Sequence, residues 1–184
     1  GTTGMADGSR VSKADNLFSV MGDVDELNSH IGLVRAQLAQ NSTDATKEAD
    51  FAQALVIIQH LLFNIGGELA MPEYEGVNSA HIAWLEQQID AMNSTLPALK
   101  DFILPTGSVL VSQLHVTRTV CRRAERQAVL LQQQRPEAIR PTAVSFINRL
   151  SDWLFVAARF CTDPEQVSEV LWDSQVLQKF AENK

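Results

Sequence analysis

The chain has 184 residues, of which 45% are hydrophobic and 20% are charged, and its formal net charge is −7. This length fits one domain with a substantial core, and the acidic balance excludes non-specific nucleic-acid binding, which depends on an excess of lysine and arginine. No apolar run approaches the length of a membrane span and no secretion signal begins the chain, so we expect a cytoplasmic protein without a membrane partner.

Residues 1–15 are rich in glycine, threonine and serine, and this segment also contains Arg10 and Lys13. Such a segment is too flexible to pack by itself, and its composition favours a disordered arm. The alternative interpretation is a loop that wraps a phosphate with backbone N–H groups, hydroxyls and the Lys13 ammonium.

The rest of the chain has a helical pattern, with apolar residues at three- and four-residue steps in five segments. Polar segments rich in proline or glycine separate them, at 41–46, 72–78, 97–105 and 136–141. The stripes run from Leu17 to Leu38, Phe51 to Leu69, Ile82 to Leu96, Leu110 to Leu131 and Val144 to Ala158. No stretch alternates as a strand does. We predict an all-α fold in a single domain over 1–184, with a five-helix up-and-down bundle over 16–184 after the arm.

Two smaller features complete the predicted fold. Asp163-Pro164 is typical of an N-cap followed by proline at the first helical position, and predicts a short terminal helix through Val167 and Leu171. Cys121 and Cys161 lie within apolar helical patterns, so we expect two reduced core thiols rather than a disulfide framework.

The most unusual segment is RTVCRRAER, at 118–126, in the fourth helix. Arg118, Arg122 and Arg126 lie one turn apart on one face, Arg123 flanks them and Glu125 lies on the neighbouring strip. These guanidinium groups repel one another unless an anion joins them, and a polyphosphate suits the bidentate geometry of arginine. The alternative is a solvated face neutralised by Glu125 and other carboxylates.

Three other places offer polar or aromatic groups next to apolar faces. Asp25, in GDVDELNS, lies at the edge of the first stripe, where it would either pair with an arginine of the fourth helix or be an ordinary boundary carboxylate. Phe102, in the loop FILPTGS, would plug the core or line a pocket, and its position alone favours the core. In NRLSDWLF, the polar side chains on one stripe of the fifth helix need hydrogen-bond partners, either within the core or in a ligand. Its members are Asn148, Ser151, Asp152 and Phe155.

Several site types are absent from the sequence. No histidine follows a glutamate by three residues, so a ferritin-like metal centre is disfavoured and we predict no metal-ligating residues. There is also no Cys-x-x-Cys pair, Walker A loop or Rossmann glycine pattern. A nucleotide site here would be of another kind.

Together these stretches resemble the PduO-type ATP:cob(I)alamin adenosyltransferases, over nearly the whole chain. The match consists of 1–13, GDVDELNS, FILPTGS running into RTVCRRAER, and NRLSDWLF, of which RTVCRRAER and NRLSDWLF are specific when found together. The Thr-x-x-Gly-Asp stretch that usually precedes the position of Gly1 in the family is not in this sequence.

The resemblance implies a homotrimer of five-helix bundles with ATP at the subunit interfaces. It implies ATP contacts from the arm and from both specific motifs: Thr2, Thr3, Gly4, Lys13, Arg122, Arg123, Glu125, Arg126 and Asn148. Asp25 and Arg118 carry over as an ion pair that shapes the site. Phe102 carries over as the residue that closes the lower face of the corrin. Arg122, Phe102, Arg118 and Asp25 are therefore the expected catalytic residues.

The implied reaction transfers the 5′-deoxyadenosyl group of ATP to the cobalt of cob(I)alamin, with Mg²⁺ bridging phosphate oxygens. A reductase or an adenosylcobalamin-dependent enzyme is the expected protein partner. The alternative function belongs to a different class of protein: a non-catalytic helical bundle that senses a nucleotide or polyphosphate. The arginine face and the arm fit that alternative, but it assigns no purpose to Phe102 or NRLSDWLF.

Overall fold

The computed structural model describes residues 1–5, 7–41, 45–162 and 169–182, without the side chains of 41, 45–48 and 179–182. The helices in these ranges are α1 (Asn16–Asn41), α2 (Ala45–Ala70), α3 (Ser79–Asn93), α4 (Val109–Gln134), α5 (Pro141–Phe160) and α6 (Gln175–Glu182), with one 3-10 turn at Pro136–Ala138. The predicted all-α bundle with five long helices is confirmed.

Helix α4 lies at the centre of the bundle. It packs against α1 and α5, while α2 packs against α1 and α3 packs against α5. Small side chains on α4, Cys121, Ala124 and Ala128, are completely buried and allow its neighbours to approach closely. Trp153 on α5 stacks on Phe51 of α2, with ring centroids 5.4 Å apart. The arginine-rich segment therefore lies on the central helix of the bundle, which packs against both α1 and α5.

The N-terminal arm folds as a hairpin, so the predictions of a disordered arm and of a strandless chain are wrong. Strand β1 (Thr2–Gly4) pairs antiparallel with β2 (Arg10–Ser12), and Gly8 between them has a positive φ of 83°. Strands of three residues are too short to give a readable alternation. The hairpin is also stabilised by Arg10, whose guanidinium donates to the hydroxyl and the carbonyl of Thr2.

Two connections differ from the predicted boundaries. Asn41 ends α1 and Ala45 already begins α2, so the loop predicted over 41–46 is too long. Asp163-Pro164 and Val167 lie outside the described residues, and Leu171 is extended rather than helical, because it forms an antiparallel bridge with Ile103. The predicted passage of a terminal helix through Leu171 is wrong.

Among the described residues, one helix is long and apolar enough to cross a membrane, judged by length and composition alone. It spans Ala49–Ala70 within α2. The core helix of a soluble bundle has the same properties, and the apolar stripe of α2 is buried among the other helices. This stripe consists of Phe51, Leu55, Ile58, Leu62, Ile65 and Leu69.

Both cysteines are reduced thiols, as expected. Cys121 is fully buried and its Sγ donates to the carbonyl of Ile147 at 3.2 Å, which ties α4 to α5. Burial raises the pKa of the Cys121 thiol, so this group is unreactive.

Candidate active site

A cleft of about 540 Å³ opens at the N-terminal end of α4. One wall is the loop before α4, and the other is formed by side chains of α4 and α5. The lining residues are Leu99, Lys100, Asp101, Phe102, Ile103, Pro105, His115, Arg118 and Phe155. The cleft thus combines apolar surfaces with a cationic edge.

Phe102 lies on the loop wall with 79% of its surface exposed, so the core-plug interpretation is wrong. The loop is fixed by its backbone: Phe102 N–H donates to the Asp101 carboxylate at 2.7 Å, and the Phe102 carbonyl accepts from Trp172 N–H at 2.7 Å. After the loop, Gly107 has a φ of 152°, and a Cβ there would lie 2.8 Å from Val111. An exposed phenyl ring is therefore presented by a rigid turn.

His115 and Arg118 form the inner edge of the cleft. His115 is 4% exposed, and both its Nδ1 and the Nε of Arg118 are buried without a hydrogen-bond partner among the described residues. Burial lowers the pKa of His115, and the positive charge of Arg118 lowers it further. Burial and the charge of Arg122 lower the pKa of Arg118. His115 is therefore favoured in its neutral form, and the positive charge at this edge of the cleft is that of Arg118, with Arg122 one turn further along α4.

His115 was not identified from the sequence as a functional residue. The sequence feature that could have identified His115 is its position three residues before Arg118, on the same side of a helix. A lone histidine on an apolar stripe is equally compatible with a core role, and only the cleft distinguishes the two.

The arginine face continues along α4 beyond the cleft. Arg122 and Arg126 are exposed, and Arg126 Nη1 donates to the Arg122 carbonyl at 3.1 Å. The structure records no hydrogen bond or ion pair for the Arg122 guanidinium within the described ranges. Neutralisation by carboxylates therefore does not account for Arg122.

Arg123, in contrast, is paired within the chain. Its Nε donates to Asp23 at 3.0 Å and its Nη2 contacts Glu26, which joins α4 to α1. The hydrogen bond that Arg123 donates to Asp23 raises the pKa of Arg123. The carboxylates of GDVDELNS that meet α4 within one chain are thus Asp23 and Glu26. Asp25 is exposed, and no contact joins it to Arg118 in the described part of the chain.

The two specific motifs meet at Glu125 and Asn148. Asn148 Nδ2 donates to Glu125 Oε1 at 2.7 Å, across the interface between α4 and α5. On the same stripe of α5, Ser151 donates to the Asn148 carbonyl at 2.9 Å and Asp152 pairs with Arg149 at 2.9 Å. The polar stripe therefore finds most of its partners within the bundle, and Phe155 faces the cleft.

The predicted arm residues lie at the opposite end of α4. The Asp15 carboxylate accepts from Leu17 N–H at 2.9 Å and contacts Arg135, the residue that follows α4. Arg118 lies about 25 Å from that point along the helix axis. Thr2, Thr3, Gly4 and Lys13 are on the hairpin, so the structure does not bring them to the cleft of the same chain.

Comparisons with known proteins agree on one family. The family model "Cobalamin adenosyltransferase" matches residues 1–161. A cobalamin adenosyltransferase of Cupriavidus metallidurans is 45% identical, over 95% of this chain and 90% of that protein. A corrinoid adenosyltransferase of Bacillus subtilis is 38% identical, over 96% of this chain and 90% of that protein.

Solved structures give the same result. A variant of a PduO-type ATP:corrinoid adenosyltransferase from Lactobacillus reuteri, complexed with cobalamin and ATP, has a TM-score of 0.81 at 36% identity and covers 95% of both chains. A second variant of that protein, complexed with ATP, has a TM-score of 0.80 at 37% identity and covers 94% of this chain and 95% of that chain. The chain therefore belongs to the cobalamin adenosyltransferase family, and it is a PduO-type corrinoid adenosyltransferase.

Proposed function

We propose that the cleft beside Phe102 receives cobalamin and that the exposed arginine face of α4 receives the triphosphate of ATP, within a single domain over 1–184. The observation that carries this assignment is the position of Arg118, which lines the cleft and also begins the arginine face. A ligand in the cleft and a polyphosphate along α4 would meet at this residue. Dependence on ATP is compatible with the expected cytoplasmic location.

In the proposed reaction the cobalt of cob(I)alamin attacks the ribose C5′ of ATP. The Co–C bond forms, the C5′–O bond breaks, and triphosphate leaves with the bonding electron pair. Negative charge grows on the leaving group, so fixed cations stabilise the transition state more than the ground state. Lys13, Arg122 and Arg126 suit this role. No proton is transferred at C5′, so the step needs no general base.

The other proposed ATP contacts are supported by how they are held. Glu125 and Asn148 fix each other, and Arg123 is locked by α1, so these side chains are preorganised for a ligand. Thr2, Thr3 and Gly4 carry backbone and hydroxyl groups on an exposed hairpin, which suits phosphate oxygens.

Mg²⁺ is the proposed counterion of the triphosphate. Across residues 1–5, 7–41, 45–162 and 169–182, no three histidine, cysteine or acidic side chains lie close enough to hold a metal ion. The ion would instead be held by phosphate oxygens and water, which is common for Mg²⁺ with nucleotides. When bound, it would neutralise charge on the leaving group.

Phe102 is proposed to close the lower face of the corrin. An exposed phenyl ring on a rigid loop would exclude water and a polar axial ligand from the cobalt, which eases reduction of Co(II) to Co(I). A reductase that supplies this electron, or an adenosylcobalamin-dependent enzyme that accepts the product, is the proposed protein partner.

We further propose a homotrimer in which the complete site joins two subunits. No residue of the arm lines the cleft of its own chain, and Asp15 at the end of the arm contacts Arg135 beyond the far end of α4, so a neighbouring copy would supply the arm. Among the described residues, the exposed carboxylate of Asp25 has no ion pair and the buried Nε of Arg118 has no hydrogen-bond partner. A pair between Asp25 of one copy and Arg118 of the next would satisfy both groups.

The test is direct. The protein is mixed anaerobically with chemically reduced cob(I)alamin, Mg²⁺ and ATP, and the absorbance spectrum is followed. Protein-dependent formation of adenosylcobalamin, reversed by light, is the expected result. A folded protein that binds ATP but forms no adenosylcobalamin would contradict the proposal.

A further inference from the structure

Arg159, near the end of α5, is a buried cation outside the proposed machinery. Its side chain is 6% exposed. Nε donates to Glu169 Oε1 at 2.7 Å, and Nη2 donates to the Pro97 carbonyl at 2.8 Å and to Glu169 Oε2 at 3.4 Å. A buried guanidinium needs such partners, because an unpaired charge there would be costly.

The two partners of Arg159 belong to the two chain segments that build the cleft wall. Pro97 begins the loop that continues through Phe102. Glu169 begins the segment 169–172, here called the C-terminal strap. The strap pairs with the same loop: Leu104 N–H donates to the Val170 carbonyl at 2.8 Å, and Trp172 N–H donates to the Phe102 carbonyl at 2.7 Å.

We infer that Arg159 is a positioning residue, which, with Glu169, holds the C-terminal strap against the Phe102 loop and so sets the shape of the cobalamin cleft. The inference rests on the proposed assignment of the cleft to cobalamin. It goes beyond that assignment because neither residue of the pair lines the cleft. The pair acts through the backbone that carries Phe102.

The packing explains why the loop depends on this anchor. Phe102 is 79% exposed, and Leu171 and Trp172 in the strap are 45% and 51% exposed. None of these side chains buries enough apolar surface to fix the wall by itself. The wall therefore depends on the bridge hydrogen bonds and on Arg159, which pairs with Glu169 of the strap and donates to the Pro97 carbonyl of the loop. Charge-assisted bonds of this kind are the strongest polar contacts available to it.

Three variants test the inference. Glu169→Ala removes the anchor of the strap, Glu169→Gln keeps an acceptor but loses the charge, and Arg159→Lys keeps the charge but loses the two-pronged geometry. The matched control is Glu86→Ala, because Glu86 pairs with Arg149 at 3.1 Å, also on α5 but outside the cleft.

The first readout is amide hydrogen exchange at Leu104 and Trp172, whose N–H groups form the bridge. We expect protection at both amides to fall about tenfold or more in Glu169→Ala, less in Glu169→Gln and Arg159→Lys, and not at all in the control. The second readout is kinetic. KM for cobalamin should rise about tenfold in Glu169→Ala, with KM for ATP unchanged, because only the cobalamin wall is loosened.

The outcomes separate this inference from the cleft assignment. Unchanged protection and unchanged KM for cobalamin in Glu169→Ala, with an effect in Phe102→Ala, would overturn the positioning role and leave the cleft assignment standing. A Glu169→Ala protein that loses thermal stability and changes both KM values equally would also overturn it. If Phe102→Ala has no effect on cobalamin either, the cleft assignment itself fails.

Discussion

Replacing Arg122 with alanine separates ligand binding from folding, because its guanidinium has no partner in the described residues. The free energy of unfolding should not fall. Arg122 is exposed, alanine has the highest helix propensity, and Arg118 and Arg126 each lie one turn away. Loss of the Arg122 charge relieves its repulsion with each of these two arginines, by about 0.2–0.5 kcal/mol per pair. We therefore expect an unchanged or slightly higher Tm.

The kinetic effect should be large. A charge-assisted contact to a phosphate oxygen contributes about 1.5–3 kcal/mol, which corresponds to about 10- to 100-fold in rate or affinity. Because the charge on triphosphate grows in the transition state, most of this loss should be in kcat/KM for ATP. KM for cobalamin should change little.

The assay follows adenosylcobalamin formation anaerobically, with chemically reduced cob(I)alamin and varied ATP, beside a thermal melt of the same sample. Arg149→Ala is a suitable control, since Arg149 is an α5 arginine paired with Glu86 and Asp152 rather than directed along the α4 face. An Arg122→Ala protein with normal kcat/KM for ATP would refute the reasoning. So would a protein whose activity loss is matched by a loss of Tm.

Three further predictions concern other groups. Phe102→Ala should slow turnover from cob(II)alamin much more than turnover from pre-reduced cob(I)alamin; equal losses in the two assays would argue against the axial role. Arg123→Ala should lower the free energy of unfolding, measured by chemical denaturation, because it removes the cation that pairs with both Asp23 and Glu26; Glu26→Gln should cost less, and an unchanged midpoint in Arg123→Ala would contradict this. Burial holds the pKa of His115 below its ordinary value, so as pH falls below about 6.5 the unfolded chain takes up the proton first and stability falls. Denaturation at pH 7.5 and 5.5 should show a smaller fall in His115→Gln, and an identical fall would exclude His115 as its source.

The predictions that succeeded concern features with a long repeat or a distinctive local sequence. The five apolar stripes specify the helices, because each stripe buries the same face over many turns and any other period would expose it. RTVCRRAER and NRLSDWLF carry the family resemblance, which the comparisons confirm. The predictions that failed concern short elements whose structure depends on distant partners. The hairpin of the arm and the extended Leu171 have no periodic signal of their own.

The sequence by itself determined the all-α class, the bundle and the family resemblance, because helical periodicity and contiguous motifs are local properties of the chain. Only the tertiary structure decided which charges are paired. It paired Arg123 with Asp23 and Glu26, and it gave the Arg122 guanidinium no partner among the described residues. It also directed Phe102 outward, over a cleft whose lining includes His115. It also showed that one guanidinium, that of Arg159, binds both Pro97 and Glu169, which belong to segments more than 60 residues apart in the chain. Such pairings depend on how helices pack in three dimensions, and spacing along the chain does not encode them.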